Sequence, residues 1–207
     1  MRIFGIDPGS ERTGYGCVET DGRRHRLVSF GAIDARGAPS FPHRLALIHA
    51  ELSVLLAAQR PDCVAIENLF HANNVRSALK LGHARGVAML AAIEAGCEVV
   101  EYTPAEVKRA VVGYGRAEKH QVGQMVKLLL GLTAAPSPHD AADALAVALC
   151  HLHSAPRLAI REALAATPPQ DSRPGAATTR ARASAAPARR ADPLPRTWRQ
   201  YRPRPIG

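Results

Sequence analysis

The chain has 207 residues, a hydrophobic content of 46% and a formal net charge of +9 at pH 7. This length predicts one domain with a core, and no apolar run is long enough to cross a membrane. The first residues lack a signal-peptide pattern, so we expect a cytoplasmic protein. The four cysteines stand in apolar runs without a Cys-x-x-Cys pair, so we expect reduced buried thiols rather than disulfides or zinc ligands.

The positive charge is concentrated at the C-terminal end. Residues 155–207 contain 11 arginines, no lysine and 3 acidic residues, which leaves residues 1–154 nearly neutral. The same segment holds 9 of the 16 prolines. We therefore predict a folded domain over 1–154 and a basic tail over 155–207, rich in Pro, Ala and Arg and mostly disordered. Such a tail either binds an anionic partner such as nucleic acid or only increases solubility, and the sequence leaves both open.

Strands are predicted where short apolar or alternating runs end in turn residues. The Asp21-Gly22 pair between the second and third runs indicates a hairpin. The predicted strands cover residues 2–7, 13–19, 25–34, 63–66 and 98–102.

Helices are predicted from apolar residues at helical spacing and from capping residues. Gly96 is a suitable residue to end the second helix, and Thr103 is a suitable N-cap for the third. The predicted helices cover residues 41–59, 75–95, a short segment after Thr103-Pro104, 119–130 and a last segment from Ser137-Pro138 to about His153. Hairpin strands followed by alternating helices and strands predict an α/β fold, a mixed five-stranded sheet flanked by helices.

Asp7 ends the first strand and is followed by a Pro-Gly turn. Taken alone, Asp7 is better explained as a turn former than as a functional residue, because Asp side chains cap turns. A rigid strand on one side and a tight turn on the other would also fix its carboxylate at the mouth of the sheet. The other acidic residues of the chain favour this second interpretation.

The last helix carries Asp140 and Asp143, three residues apart and therefore on one face. Asp140 has a local explanation, because with Ser137 it resembles a capping box at a helix N-terminus. Asp143 is surrounded by Ala and Leu, and an unpaired buried carboxylate costs several kcal/mol. We therefore expect a cation to face Asp143, either a metal ion or a buried Arg or Lys.

Glu67 follows an apolar strand, at the end where open α/β sheets place ligands, although a strand-terminal Glu can also simply reach water. Asp7, Glu67, Asp140 and Asp143 together suit hard cations such as Mg²⁺ or Mn²⁺. Two such ions can hold the attacking water and the leaving oxygen of a phosphodiester. The sequence contains neither a Cys/His cluster for zinc nor a P-loop.

Other side chains are candidates for contacts with a nucleic acid. Lys108 and Lys119 could each neutralise a phosphate beside the metal ions, or lie free in solvent. His139 could assist metal binding or face solvent. Phe70, on a polar loop, could stack on bases or fold back on the core.

Five segments of the chain, in order, resemble the crossover junction endodeoxyribonucleases of the RuvC type, the bacterial Holliday junction resolvases. The resemblance covers roughly residues 1–154 and does not include the tail. Its segments are Gly5-Ile6-Asp7-Pro8-Gly9, Ile66-Glu67-Asn68-Leu69-Phe70, Ser77 to Gly86, Val111-Val112-Gly113 with Ala117-Glu118-Lys119, and Asp140 to Ala146.

This resemblance implies a ribonuclease-H-like fold and a homodimer that cuts two opposed strands of a four-way DNA junction, leaving 5′-phosphate ends. It implies Mg²⁺, with Mn²⁺ as a substitute, at two ions per site. It implies that the helix with Ala84-Arg85-Gly86 forms the dimer contact. It also implies that the branch-migration proteins RuvA and RuvB are partners. The implied roles are metal ligation and catalysis for Asp7, Glu67, Asp140 and Asp143, contact with the scissile phosphate for Lys108 and Lys119, and contact with junction bases for Phe70.

Three alternative functions remain open from the sequence. A related nuclease could act on structured RNA. An actin-like phosphotransferase is another possibility, because Gly-Ile-Asp-Pro-Gly is also similar to a phosphate loop, although no second glycine-rich loop accompanies it. A junction-binding module without catalysis is the third, and the carboxylate set argues against it.

Overall fold

The computed structural model describes residues 1–68 and 74–166, with side chains up to residue 154. A five-stranded sheet runs through this part of the chain. The strands are β1 (Arg2–Asp7), β2 (Arg12–Thr20), β3 (His25–Asp34), β4 (Cys63–Glu67) and β5 (Glu98–Tyr102). Their order is β3-β2-β1-β4-β5, with β1, β2 and β3 antiparallel and with β4 and β5 parallel to β1. The predicted mixed five-stranded sheet is confirmed.

Five helices pack on this sheet. Gly22 has a φ of 93° at the β2–β3 hairpin, and Thr103 forms a capping box with Glu106 at the start of the third helix, as the sequence predicts. The helices are α1 (Phe41–Gln59), α2 (Val75–Glu94), α3 (Pro104–Val112), α4 (Lys119–Leu129) and α5 (His139–Ala166).

Helix α5 differs from its predicted length. We expected it to end at about His153, but it continues to Ala166. The added segment contains five Ala, two Leu, two Arg and one Glu, which are strong helix formers, and their propensity outweighs the presence of Pro156. The predicted domain boundary at residue 154 therefore lies inside a helix, and the disorder of the chain beyond residue 166 stays a prediction.

The sheet separates two apolar clusters, because successive strand residues point to opposite faces. Ile3 contributes to the cluster under α3, α4 and α5, and its neighbour Phe4 contributes to the cluster under α1 and α2. All four cysteines lie buried and free in these clusters, which confirms the prediction of reduced core thiols. Burial raises the pKa of Cys63 to about 12 and that of Cys17 to about 11.

Helix α5 lies directly on β1 and β2 because glycines face it. A Cβ atom on Gly5 would lie 2.0 Å from the carbonyl oxygen of Ala144, and one on Gly14 would lie 2.0 Å from that of Asp140. These two contacts bring the N-terminal turns of α5 to the carboxyl end of β1. Within the described ranges, no helix is both long and apolar enough to cross a membrane.

Candidate active site

Asp7 and Glu67 lie side by side at the ends of two central strands. The β1–β4 register pairs Ile6 with Ile66, so the two acidic residues that follow are neighbours. Their carboxyl groups are hydrogen-bonded. Burial, followed by the nearby charges of Glu67 and Asp143, raises the pKa of Asp7 to about 8. Burial also raises the pKa of Glu67. The raised pKa of Asp7 favours its protonated form, in which the carboxyl group can share its proton with Glu67.

The loop after Asp7 is fixed by a buried hydroxyl group. Thr13 is fully buried, and its Oγ1 donates a hydrogen bond to the carbonyl oxygen of Gly9 at 2.8 Å. The backbone N–H of Gly9 in turn donates a hydrogen bond to Thr13 Oγ1 at 3.4 Å. A short polar side chain thus holds the turn that follows Asp7, as the Pro-Gly motif requires.

Asp143 faces the cation that its apolar surroundings predict. Lys119 Nζ donates a hydrogen bond to Asp143 Oδ2 at 3.0 Å. This bond, followed by the nearby charge of the same aspartate, raises the pKa of Lys119. The Lys119 side chain is mostly exposed, whereas that of Asp143 is mostly buried. Lys119 can therefore leave Asp143 for another anion without losing a packed position.

One cavity brings most of the predicted residues together. It has a volume of about 250 Å³, and its charged lining residues are Asp7, Glu67, Asp143, Lys108 and Lys119. Lys108 comes from α3 and Lys119 from the start of α4, so residues distant in sequence meet at the carboxyl ends of β1 and β4. Such an edge is where open α/β sheets bind ligands.

Two predicted residues are described but do not line this cavity. The Asp140 carboxylate instead lies 3.5 Å from Arg12 Nε, at the first residue of β2. The expected capping box is not found, because the described hydrogen bonds include none between Ser137 and Asp140; the N–H groups of Ala141 and Ala142 bond to the Pro138 carbonyl oxygen. His139 is exposed. Phe70 lies outside the described residues.

The carboxylates of the cavity fit a hard divalent cation. Each acidic side chain has a substitute for a metal ion: a shared proton for Asp7 and Glu67, Lys119 for Asp143 and Arg12 for Asp140. Among the residues that the structure describes, no three His, Cys, Asp or Glu side chains form a ready-made metal cage. A cation can replace the proton and the lysine as the partner of these carboxylates, and oxygen ligands of this type suit Mg²⁺ and Mn²⁺.

Three residues near the site were not predicted. Arg12 has no local sequence signal, because its partner Asp140 is distant along the chain. Tyr102 and His151 form a buried pair in which the tyrosine hydroxyl group lies 3.0 Å from His151 Nδ1. This pair joins β5 to α5, two helical turns after Asp143. The one sequence signal that could have indicated the Tyr102–His151 pair is the presence of polar residues in otherwise apolar segments.

A ribonuclease-H-like sheet with acidic residues at the ends of β1 and β4 and on α5 defines a class, the metal-dependent nucleases of this fold. The family model described as crossover junction endodeoxyribonuclease RuvC matches residues 3–151. The RuvC of Alkaliphilus oremlandii is 51% identical over 154 residues, which is 74% of this chain and 94% of that protein. The RuvC of Citrifermentans bemidjiense is 54% identical over 155 residues, 75% of this chain and 94% of that protein.

Structural similarity agrees with the sequence matches. Thermus thermophilus RuvC, solved in complex with a Holliday junction substrate, superposes with a TM-score of 0.72 at 39% identity, covering 75% of this chain and 94% of that one. The chain therefore belongs to the RuvC family of crossover junction endodeoxyribonucleases. It is a Holliday junction resolvase, a metal-dependent endonuclease of DNA recombination and repair.

Proposed function

We propose that this chain cuts the strands of four-way DNA junctions in the cavity formed by Asp7, Glu67 and Asp143, with Asp140 at its rim. The observation that carries the proposal is the meeting of three partly buried acidic side chains and two lysines at the carboxyl ends of β1 and β4. A catalytic purpose accounts for their burial, since perturbed carboxyl groups cluster at functional sites.

Mg²⁺, with Mn²⁺ as a substitute, is the proposed cofactor, at two ions per site. The residues that would hold it are Asp7, Glu67, Asp140 and Asp143. When bound, it supplies Lewis-acid chemistry, which lowers the pKa of a water molecule and stabilises charge on the leaving oxygen of the phosphodiester. The Asp7 carboxyl group must be deprotonated to bind a metal ion, so metal binding at this site is linked to proton release.

The lysines act on the DNA. Lys108 and Lys119 line the same cavity as the acidic residues, at a position suited to the scissile phosphate. Lys119 exchanges its bond to Asp143 for a phosphate oxygen as DNA enters, and both lysines then neutralise charge at phosphorus. Hydrolysis that breaks the bond to the 3′ oxygen leaves ligatable 5′-phosphate ends. Phe70 is proposed to contact bases at the junction.

A homodimer would present two such sites to two opposed strands. Its support is an apolar stripe along α2, on which four side chains are each more than half exposed. The stripe continues through Gly82 and Gly86, where no atom of the described residues, apart from the nearby backbone of the same helix, lies within 4 Å of an added Cβ. Ala84, in contrast, is buried inside the protomer. The four exposed side chains are Val75, Leu79, Leu90 and Ile93.

The remaining proposals rest on the family. RuvA and RuvB, which move the branch point of a junction, are the proposed protein partners. The proposed location is the cytoplasm, where the four free thiols would stay reduced.

The test is a nicking assay on a labelled four-way junction with and without Mg²⁺, beside matched linear duplex. Asp7→Asn should keep junction affinity and lose cleavage, because it removes one ligand and leaves the DNA surface intact. Glu51→Gln, which removes one exposed acidic charge from α1, is the control and should cut normally. Cleavage by Asp7→Asn at the wild-type rate would refute the assignment of Asp7. Equal cleavage of a structured RNA would indicate the RNA nuclease instead.

A further inference from the structure

Arg12 stands beside the proposed active site without a part in the proposed chemistry. It is the first residue of β2, and the β1–β2 register places Gly14, two residues later, opposite Asp7. The buried Thr13 side chain ties the backbone just after Arg12 to Gly9. The guanidinium group therefore projects from a rigid backbone.

The guanidinium group is directed at Asp140 without a full hydrogen bond. Arg12 Nε lies 3.5 Å from Asp140 Oδ2, longer than a normal N–H···O bond. The same Nε atom is buried and has no hydrogen-bond partner among the described residues. An alternative acidic partner is Asp34, opposite Arg12 on β3, but Asp34 accepts a hydrogen bond from Arg36 Nε at 2.9 Å. Arg12 thus directs its charge to Asp140.

Asp140 has little freedom to move away from Arg12. Its backbone carbonyl oxygen lies where a Cβ atom on Gly14 would be, so α5 is fixed against β2 at this point. Both side chains of the pair are about two-thirds buried, with exposures of 37% for Arg12 and 35% for Asp140. Lys119, the cation beside Asp143, is by contrast 77% exposed and can swing aside. The two acidic residues of α5 therefore face cations of different mobility.

We infer that Arg12 competes with the divalent cation for Asp140 and thereby weakens metal binding at that residue. A fixed positive charge paired with a metal ligand occupies the carboxylate that should bind the ion, and this pair must be broken before the ion binds there. At the same time, Arg12 holds the Asp140 carboxylate in position and neutralises its charge until the ion binds. Arg12 is then a positioning residue that sets the metal concentration at which the site fills. The inference rests on the proposed ligand role of Asp140.

The experiment measures Mn²⁺ binding by the full-length chain without DNA, from the electron paramagnetic resonance signal of free Mn²⁺. Arg12→Gln should lower the apparent dissociation constant by roughly three- to fivefold, the range of a partly exposed ion pair. Arg26→Gln removes the same charge from an exposed arginine that pairs with Glu19, at the other end of β3 from Asp34, and should change binding by less than about twofold. Arg12→Lys keeps the charge and should bind Mn²⁺ as the wild type does. Thermal melting in EDTA verifies that each variant is folded.

Unchanged or weaker binding by Arg12→Gln overturns the inference, as does an equal gain in Arg26→Gln or a similar gain in Arg12→Lys. A second comparison places Arg12→Gln in an Asp140→Asn background, where it should have no effect. A gain that persists there shows that Arg12 does not act through Asp140. Asp140→Asn alone with wild-type Mn²⁺ binding would refute the ligand role of Asp140 itself, so failure of the inference and failure of the proposed function give different results.

Discussion

Gly5→Ala tests whether the close contact between β1 and α5 builds the active site. The new Cβ atom would lie 2.0 Å from the carbonyl oxygen of Ala144 and 2.8 Å from the backbone nitrogen of Ala148. Both contacts involve backbone atoms of a buried helix, so no side chain can rotate away. The helix must move from the strand by about 1 Å or more, because overpacking in a dense interior is relieved only by backbone shifts.

The free-energy cost of this helix shift is smaller than the free energy of unfolding of a typical domain. Overpacking of this kind costs about 1–3 kcal/mol, out of about 5–15 kcal/mol for a typical domain, so the variant should still fold. At about 2–4 °C per kcal/mol for a protein of this size, the melting temperature should fall by about 2–12 °C. Asp143 would move with α5 relative to Asp7, and a displacement of about 1 Å can reduce a rate by about 100-fold.

The assay combines a melting curve with the junction-nicking rate in Mg²⁺. Gly123→Ala is the control, because this glycine lies inside α4 and an added Cβ would meet no atom within 4 Å. The control should gain up to about 1 kcal/mol from helix propensity and cut normally. A Gly5→Ala variant that melts and cuts as the wild type does would refute the argument that this contact positions the acidic residues.

Three further predictions concern pH, a buried hydrogen bond and the C-terminal segment. The pKa of Asp7 is raised from 3.8 to about 8 in the folded chain. Between these two values, and without metal, the folded chain holds a proton that the unfolded chain has lost. The free energy of unfolding should therefore decline as pH rises from about 4 to 8. Melting in EDTA should show this decline in the wild type and a smaller one in Asp7→Asn; equal slopes would contradict it. Tyr102→Phe leaves buried His151 Nδ1 without its partner and should cost about 1–3 kcal/mol in a urea titration, and a loss below about 0.5 kcal/mol would contradict it. Deleting residues 167–207 should weaken junction binding and flatten its salt dependence if the arginines contact DNA, and an unchanged slope would exclude that role.

Local signals account for the parts of the fold that the sequence predicts well. The hairpin at Gly22 and the capping box at Thr103 depend on neighbouring residues, and both are present. Asp7 and Glu67 were predictable as a pair because parallel strands end at one edge of the sheet. Asp143 was predictable as a residue facing a cation, since its helix is apolar on nearly every side.

The unpredicted features depend on distant contacts or on competing local preferences. The Arg12–Asp140 pair joins the start of β2 to the start of α5, and nothing in either segment alone specifies the other. The position of Asp140 outside the cavity follows from that pair rather than from its spacing to Asp143. The extension of α5 to Ala166 reflects a conflict between strong helix formers and a composition typical of disorder, so composition alone places the end of the helix too early.

The central position of α5 has a consequence for how the chain is made. Asp7 is synthesised early, whereas Asp143 lies on the helix that follows the whole sheet. Domains fold as units during synthesis, and contacts distant in sequence form late. A nascent chain that still lacks α5 therefore carries β1 and β4 with only half of the acidic set, and it has no buried helix to close the core over them. The nuclease should remain inactive on the ribosome until the last helix emerges, so incomplete chains would pose no hazard to DNA.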